Sequence, residues 1–277
     1  MNNKAMHNKA IRVAGMLAVA MVVGCQGTGA VNRSPRETTS RNTEVESGLR
    51  TYYIDGAGNW GYGVREMQAG LAKAGYRGEV VNYRWSPTLN PALDQTIGRS
   101  AARKKGQQLG EEISQFLKDH ANADVNIIAL SAGTGVAVWA CEALTDSVKI
   151  NNLVLLGSSL SSTYDMKKAM ANIAGRVTVY HSDRDAVLNT AVKMLGTIDG
   201  QTGVASAGST GLKVSRDLAD RVDNIGWSPR YERQGWHGGH TDVTSESFVV
   251  AELARHIVSP KKLASAAMDD DSMIATR

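Results

Sequence analysis

The chain has 277 residues, of which 42% are apolar, 5% aromatic and 21% charged, an ordinary globular balance that excludes collagen-like, mucin-like and wholly disordered chains. Its formal charge of +4 sits at the start, where positions 1–24 hold Lys4, Lys9 and Arg12 and no acid. The remainder is nearly neutral and lacks the basic footprint of a nucleic-acid binder. No apolar run reaches the roughly 18–20 residues that cross a bilayer as a helix, which excludes a polytopic membrane protein.

The charged start is followed by a compact apolar stretch, Ile11 to Val23, and then by Val22-Val23-Gly24-Cys25. A basic n-region, a short apolar middle and small residues before a cleavage point predict an export signal over 1–24. The ending resembles a bacterial lipoprotein lipobox. That resemblance implies lipidation of Cys25 and a membrane partner through the anchor, in the bacterial cell envelope. Gln26 in place of an Asp points to the outer membrane, facing the periplasm. Residues 26–48 are polar and rich in Ser and Thr. They read as a tether with an r.m.s. reach of about 25–30 Å. The folded domain is expected over 49–259 and a frayed tail over 260–277.

Within the domain, strands are predicted at Leu49–Ile54, Glu79–Trp85, Asp124–Leu130, Asn152–Leu156, Arg176–Tyr180 and, less strongly, Asp223–Trp227. Ala102, Gly106, Leu109, Ile113 and Phe116 fall on one face of a helix. Val250, Leu253 and Ile257 repeat that spacing before Ser259-Pro260 stops it, with Thr244 or Ser245 as cap. Alternation of strands and helices predicts an α/β fold, with a mostly parallel central sheet of about six strands and helices on both faces. The unbroken apolar runs Ile127–Leu130 and Leu153–Leu156 fit a sheet buried on both sides. In such a sheet, sites form beyond the carboxyl ends of the strands.

Three strand ends carry the chemistry. Ala129-Leu130-Ser131-Ala132-Gly133 places small residues two before and two after a serine, as a strand-to-helix nucleophile elbow requires. Asp183 and Asp185 follow the fifth strand, and His237 and His240 lie on a glycine loop further on. Ser131, Asp185 and His240 are separated by 54 and 55 residues, leaving no room for a large lid in the first gap. Over about 50–258 the sequence resembles a small α/β-hydrolase of the esterase and lipase kind. The resemblance implies an acyl-serine mechanism with Ser131 as nucleophile, Asp185 as acid with Asp183 as alternative, and His240 as base with His237 as alternative. It implies an oxyanion hole from the N–H groups of Ala132 and of Ala57, with Gly58 as alternative to Ala57. The substrate implied is a small-molecule or lipid acyl compound, with no cofactor and no metal.

Other readings compete. Gly56-x-Gly58-x-x-Gly61 after the first strand has the spacing of a dinucleotide-binding loop. However, Arg65 and Gln68 stand where small and apolar residues are usual, and Val81-Asn82-Tyr83-Arg84 lacks the ribose-binding acid. His237, His240 and Asp242 are too few for a structural zinc site. Cys141 reads as a buried small hydrophobe, His181 as a packed histidine and His256 as exposed. A hydrolase-like binding or structural lipoprotein without activity is the alternative from another class.

Overall fold

The computed structural model describes residues 48–258 apart from residue 146; the predicted signal, Cys25, nearly all of the tether and the tail lie outside the described residues. Six strands form one sheet: β1 (Leu49–Ile54), β2 (Glu79–Tyr83), β3 (Asp124–Leu130), β4 (Asn152–Leu156), β5 (Val177–His181) and β6 (Val222–Gly226). They lie in the order β2-β1-β3-β4-β5-β6, and every neighbouring pair is parallel. β1, β3 and β4 have the predicted bounds, and β5 and β6 are displaced by one residue. β2 ends at Tyr83 rather than Trp85, because the Trp85 backbone N–H turns to Asn59 Oδ1 at 3.0 Å and its indole N–H to the Asp55 carbonyl at 2.8 Å.

Side chains alternate between two cores, as the twofold strand repeat requires. Tyr52, Ile54, Ile127, Ala129, Leu153 and Leu155 pack with helices α2 (Arg99–Asp119) and α3 (Gly133–Glu142). Tyr53, Ile128, Leu130, Val154 and Leu156 pack on the other face with α1 (Val64–Lys73) and the C-terminal helical segment. Full burial of each such aliphatic side chain contributes about 1.5–3 kcal/mol. Helices therefore cover both faces, as predicted.

α3 is buried from Gly133 to Cys141, apolar all round as an enclosed helix must be. α2 lies across it at very short range. A Cβ on Gly106 would stand 2.7 Å from Trp139 Cβ, and one on Gly110 2.6 Å from the Ala140 carbonyl. Each glycine costs about 1 kcal/mol of helix propensity, which close packing of α3 offsets. That packing fixes the residue entering α3.

Two expectations need correction on the C-terminal side. The predicted final helix is a succession of an α turn (Glu246–Phe248), a π segment (Val249–Leu253) and a 3-10 turn (Ala254–His256). Ser245 occupies its N-cap position without a side-chain cap bond, and Thr244 Oγ1 is committed to the Thr241 carbonyl at 2.7 Å. His256 is not on an exposed face: it is half-buried, with Nε2 2.9 Å from Tyr180 Oη.

Candidate active site

β1 and β3 are neighbours whose connections leave in opposite directions along the sheet, with β2 beyond one and β4 beyond the other. Their carboxyl ends open the switch-point crevice in which doubly wound sheets bind ligands. Ser131 is the residue immediately after β3 and has φ of +53°, in the left-handed region that costs a non-glycine residue of order 1–3 kcal/mol. One residue in that conformation turns strand into helix: Ala132 is already right-handed and α3 begins at Gly133. The turn closes on β1, since a Cβ on Gly133 would stand 2.6 Å from the Ile54 carbonyl. It is tied to β4 by the Ser131 N–H, which donates to the Leu156 carbonyl at 2.9 Å. Ser131 is 8% exposed, and its Oγ has no hydrogen-bond partner among the described residues.

Asp185 follows β5 and is 2% exposed. Its Oδ1 accepts the Leu188 N–H at 3.0 Å and its Oδ2 faces His240 Nδ1 at 2.6 Å. A carboxylate only accepts, so Nδ1 carries the proton and Nε2 of neutral His240 is left as acceptor. Gly157, the residue after β4, lies beneath this pair: a Cβ there would stand 3.3 Å from His240 Nδ1 and 3.4 Å from Asp185 Oδ2. Gly157 also follows Leu156, whose carbonyl holds the Ser131 N–H. Ser131 and the His240–Asp185 pair thus flank one glycine. The alternatives lie apart: Asp183 and His237 are exposed, and the His237 N–H donates to Asp242 Oδ2 at 2.8 Å.

The loop after β1 closes the other side. A Cβ on Gly56 would stand 3.1 Å from Ser131 Cβ. Gly56 N–H donates to Asp55 Oδ1 at 2.7 Å, and the N–H groups of Gly61 and Tyr62 donate to Asp55 Oδ2 at 2.6 and 3.1 Å. Gly58 N–H donates to Asp94 Oδ2 at 2.8 Å, and Asn59 N–H to the Gly56 carbonyl at 3.1 Å. Ala57 N–H and Ala132 N–H take no hydrogen-bond acceptor among the described residues. Asp55 is buried, which raises its carboxyl above the usual range against the Gly56, Gly61 and Tyr62 N–H groups, which favour ionisation.

These bonds bear on the rival readings. The Gly58 and Gly61 N–H groups that a pyrophosphate would need already serve Asp94 and Asp55. His240 is turned to Asp185, Asp242 serves backbone, and among the described residues no three His, Cys, Asp or Glu side chains converge on a metal position. Cys141 is buried in α3, and desolvation pushes its thiol well up. His181 is half-buried, which lowers its imidazole. Asp55, Asp94 and Gly157 escaped sequence reasoning. Asp94 and Gly157 carry no local signal.

The exposed large apolar side chains gather at this end. Trp60 and Tyr62 follow β1, Leu89, Leu93 and Ile97 follow β2, and Met194 and Val204 follow β5. Ile97 is 76% and Met194 69% exposed. The segments are stitched together: Trp60 Nε1 donates to the Leu89 carbonyl at 2.9 Å, and Gln95 Nε2 to the Gly196 carbonyl at 3.0 Å.

No protein-family model and no curated protein matches the sequence. Among solved structures, the chain is similar to lipase B of Aspergillus fumigatus at 12% identity and a TM-score of 0.49, covering 87% of this chain and 63% of the lipase. It is also similar to a putative hydrolase of the α/β superfamily from Xanthomonas campestris pv. campestris, at 13% identity, TM-score 0.39, and 72% and 95% coverage. A cutinase-like protein from Cryptococcus sp. is similar at 13% identity, TM-score 0.41, and 79% and 98% coverage. The fold is a doubly wound parallel α/β sheet with helices on both faces.

Proposed function

We propose that this chain is a serine hydrolase that cleaves an ester or related acyl bond through an acyl-Ser131 intermediate, carried in a bacterial envelope on a lipid-modified Cys25. The observation that carries this reading is the His240 Nδ1–Asp185 Oδ2 bond of 2.6 Å beside Gly157, next to a serine strained into the left-handed region.

The steps follow from those groups. A serine hydroxyl is a weak nucleophile at neutral pH and needs a base. His240 Nε2 takes the Oγ proton as Oγ forms its bond to the acyl carbon, and the carbonyl electrons move onto oxygen. The free N–H groups of Ala57 and Ala132 are the donors available to that oxyanion; losing one such donor typically costs about 3–4 kcal/mol. Asp185 stabilises the imidazolium without taking its proton. The imidazolium gives that proton to the leaving alkoxide as the acyl–oxygen bond breaks. Water, deprotonated by His240, then releases the carboxylic acid and restores Ser131. The apolar rim of Trp60, Leu89, Leu93 and Ile97 supports a substrate with a hydrophobic acyl or alcohol part.

A fluorophosphonate probe tests the mechanism. Labelling at Ser131, absent in Ser131→Ala, is expected, with hydrolysis of p-nitrophenyl esters lost by the same substitution. A well-folded wild-type protein that takes no label would support the non-catalytic binding reading instead. Multiple acyl chains hold a protein on a membrane far more firmly than one, so Cys25→Ser is expected to move the protein from the membrane fraction to the soluble fraction of cells.

A further inference from the structure

The loop after β1 presents its N–H groups in an orderly way. Of the four in Gly56–Asn59, three are taken: Gly56 by Asp55 Oδ1, Gly58 by Asp94 Oδ2 and Asn59 by the Gly56 carbonyl. Ala57 alone is left over. Two carboxylates hold the loop. Asp55 lies at its start and also binds Gly61 and Tyr62. Asp94 comes from the short helix Pro91–Gln95 and is fully buried. Its Oδ2 also accepts the Ser86 hydroxyl, and its Oδ1 accepts Thr88 Oγ1 at 2.7 Å. Neither carboxylate has a cationic side-chain partner among the described residues, so backbone N–H groups and hydroxyls do the work that a lysine or arginine does elsewhere. A buried carboxylate is stable only with such donors. Asp94 therefore depends on the loop as much as the loop depends on it.

We propose that Asp94 is a positioning residue which, with Asp55, clamps the loop so that the Ala57 N–H is held available for the oxyanion beside Ser131. This rests on the acyl-serine reading above. Displacing a catalytic donor by about 1 Å can cost some 10²-fold in rate, and full loss of one oxyanion donor costs about 10²–10³-fold in kcat. Ground-state binding does not use that donor in the same way.

The test compares Asp94→Ala and Asp94→Asn with wild type in the full-length protein, using p-nitrophenyl butyrate turnover, inhibition by an alkylboronic acid that forms a tetrahedral adduct on serine, and fluorophosphonate labelling. Asparagine can keep its carbonyl oxygen on the Gly58 N–H while its amide donates to Thr88 Oγ1. For Asp94→Ala, kcat is expected to fall about 10²-fold with KM within about threefold, and boronate affinity to fall with kcat. Asp94→Asn is expected to recover kcat to within about tenfold of wild type. A folded Asp94→Ala protein with wild-type kcat overturns the clamp, as does one in which KM alone changes. Should the alanine variant not fold, Asp94→Glu, which moves the carboxylate by one methylene, takes its place with the same expected split and the same overturning result. Absence of label on the wild type would overturn the acyl-serine reading and the clamp together. A labelled wild type with unaffected Asp94 variants overturns the clamp alone.

Discussion

After β3 the chain turns into α3 across two residues, Ser131 and Ala132, whereas after β1 it spends residues 55–63 before reaching α1. The first connection is held by hard contact: Ser131 is forced left-handed, and Gly133 is pressed against the carbonyls that end β1. The second is held by charge: two buried carboxylates collect four N–H groups between them. Steric placement is rigid and insensitive to solution conditions, since close-packed backbone has nowhere to move. Placement by carboxylates depends on ionisation. The molecule thus positions its proposed nucleophile by shape and its proposed oxyanion donor by electrostatics.

The most severe test strikes what the two connections serve. Asp185→Asn is expected to lower kcat by about 10⁴-fold, because the amide no longer fixes the His240 tautomer. Retained turnover in a steady-state assay would reduce the contrast between the two connections to a matter of stability. Next come substitutions on each side. Gly133→Val forces a side chain against the Ile54 carbonyl and is expected to cost about 1–3 kcal/mol or more, read as a lower urea midpoint with activity falling alongside. Asp55→Asn faces an amide toward N–H groups. It is expected to lower kcat about 10-fold or more while moving the urea midpoint less than Gly133→Val. Equal stability losses from both would erase the distinction.

The smallest effect lies outside the site and serves as a control. Burial, and then the Arg255 charge, lower the His256 imidazole to about 4, while Asp223 opposes them. The unfolded chain binds this proton more tightly, so the contribution of neutral His256 is present above pH 6.5 and is lost as pH falls from 6.5 towards 4. His256→Gln is expected to flatten that part of the melting-temperature profile. Asp55 has the opposite sign. Its raised carboxyl binds a proton more tightly in the folded state, so acid loosens its loop without lowering global stability through this group. A pH-dependent melting temperature unchanged by His256→Gln would place the acid sensitivity elsewhere.

How much could be read beforehand follows the same division. The elbow was legible because close approach of backbone demands small residues at set distances from Ser131, and Ala129 and Gly133 are such residues. The strands were legible because Ile127–Leu130 and Leu153–Leu156 cannot be solvent-facing. The His240–Asp185 contact, suggested by chain order, closes to 2.6 Å in the structure. Asp94 was not legible: its donors Gly58, Ser86 and Thr88 lie 36, 8 and 6 residues away, and an acid after Asn90-Pro91 looks like an ordinary solvated first turn. His256 failed for a related reason, since its partner Tyr180 lies 76 residues earlier. Hydrogen bonds between distant residues leave no periodicity to find.

The backbone angle at position 131 sets chemistry against comfort. A glycine would sit there with no Cβ to crowd, and asparagine tolerates that region better than serine. Natural proteins hover only slightly above the threshold that selection enforces. A gene copy freed from any demand for turnover is therefore expected to drift to glycine or asparagine at this codon, while its glycines at 106, 110 and 133 persist for folding alone.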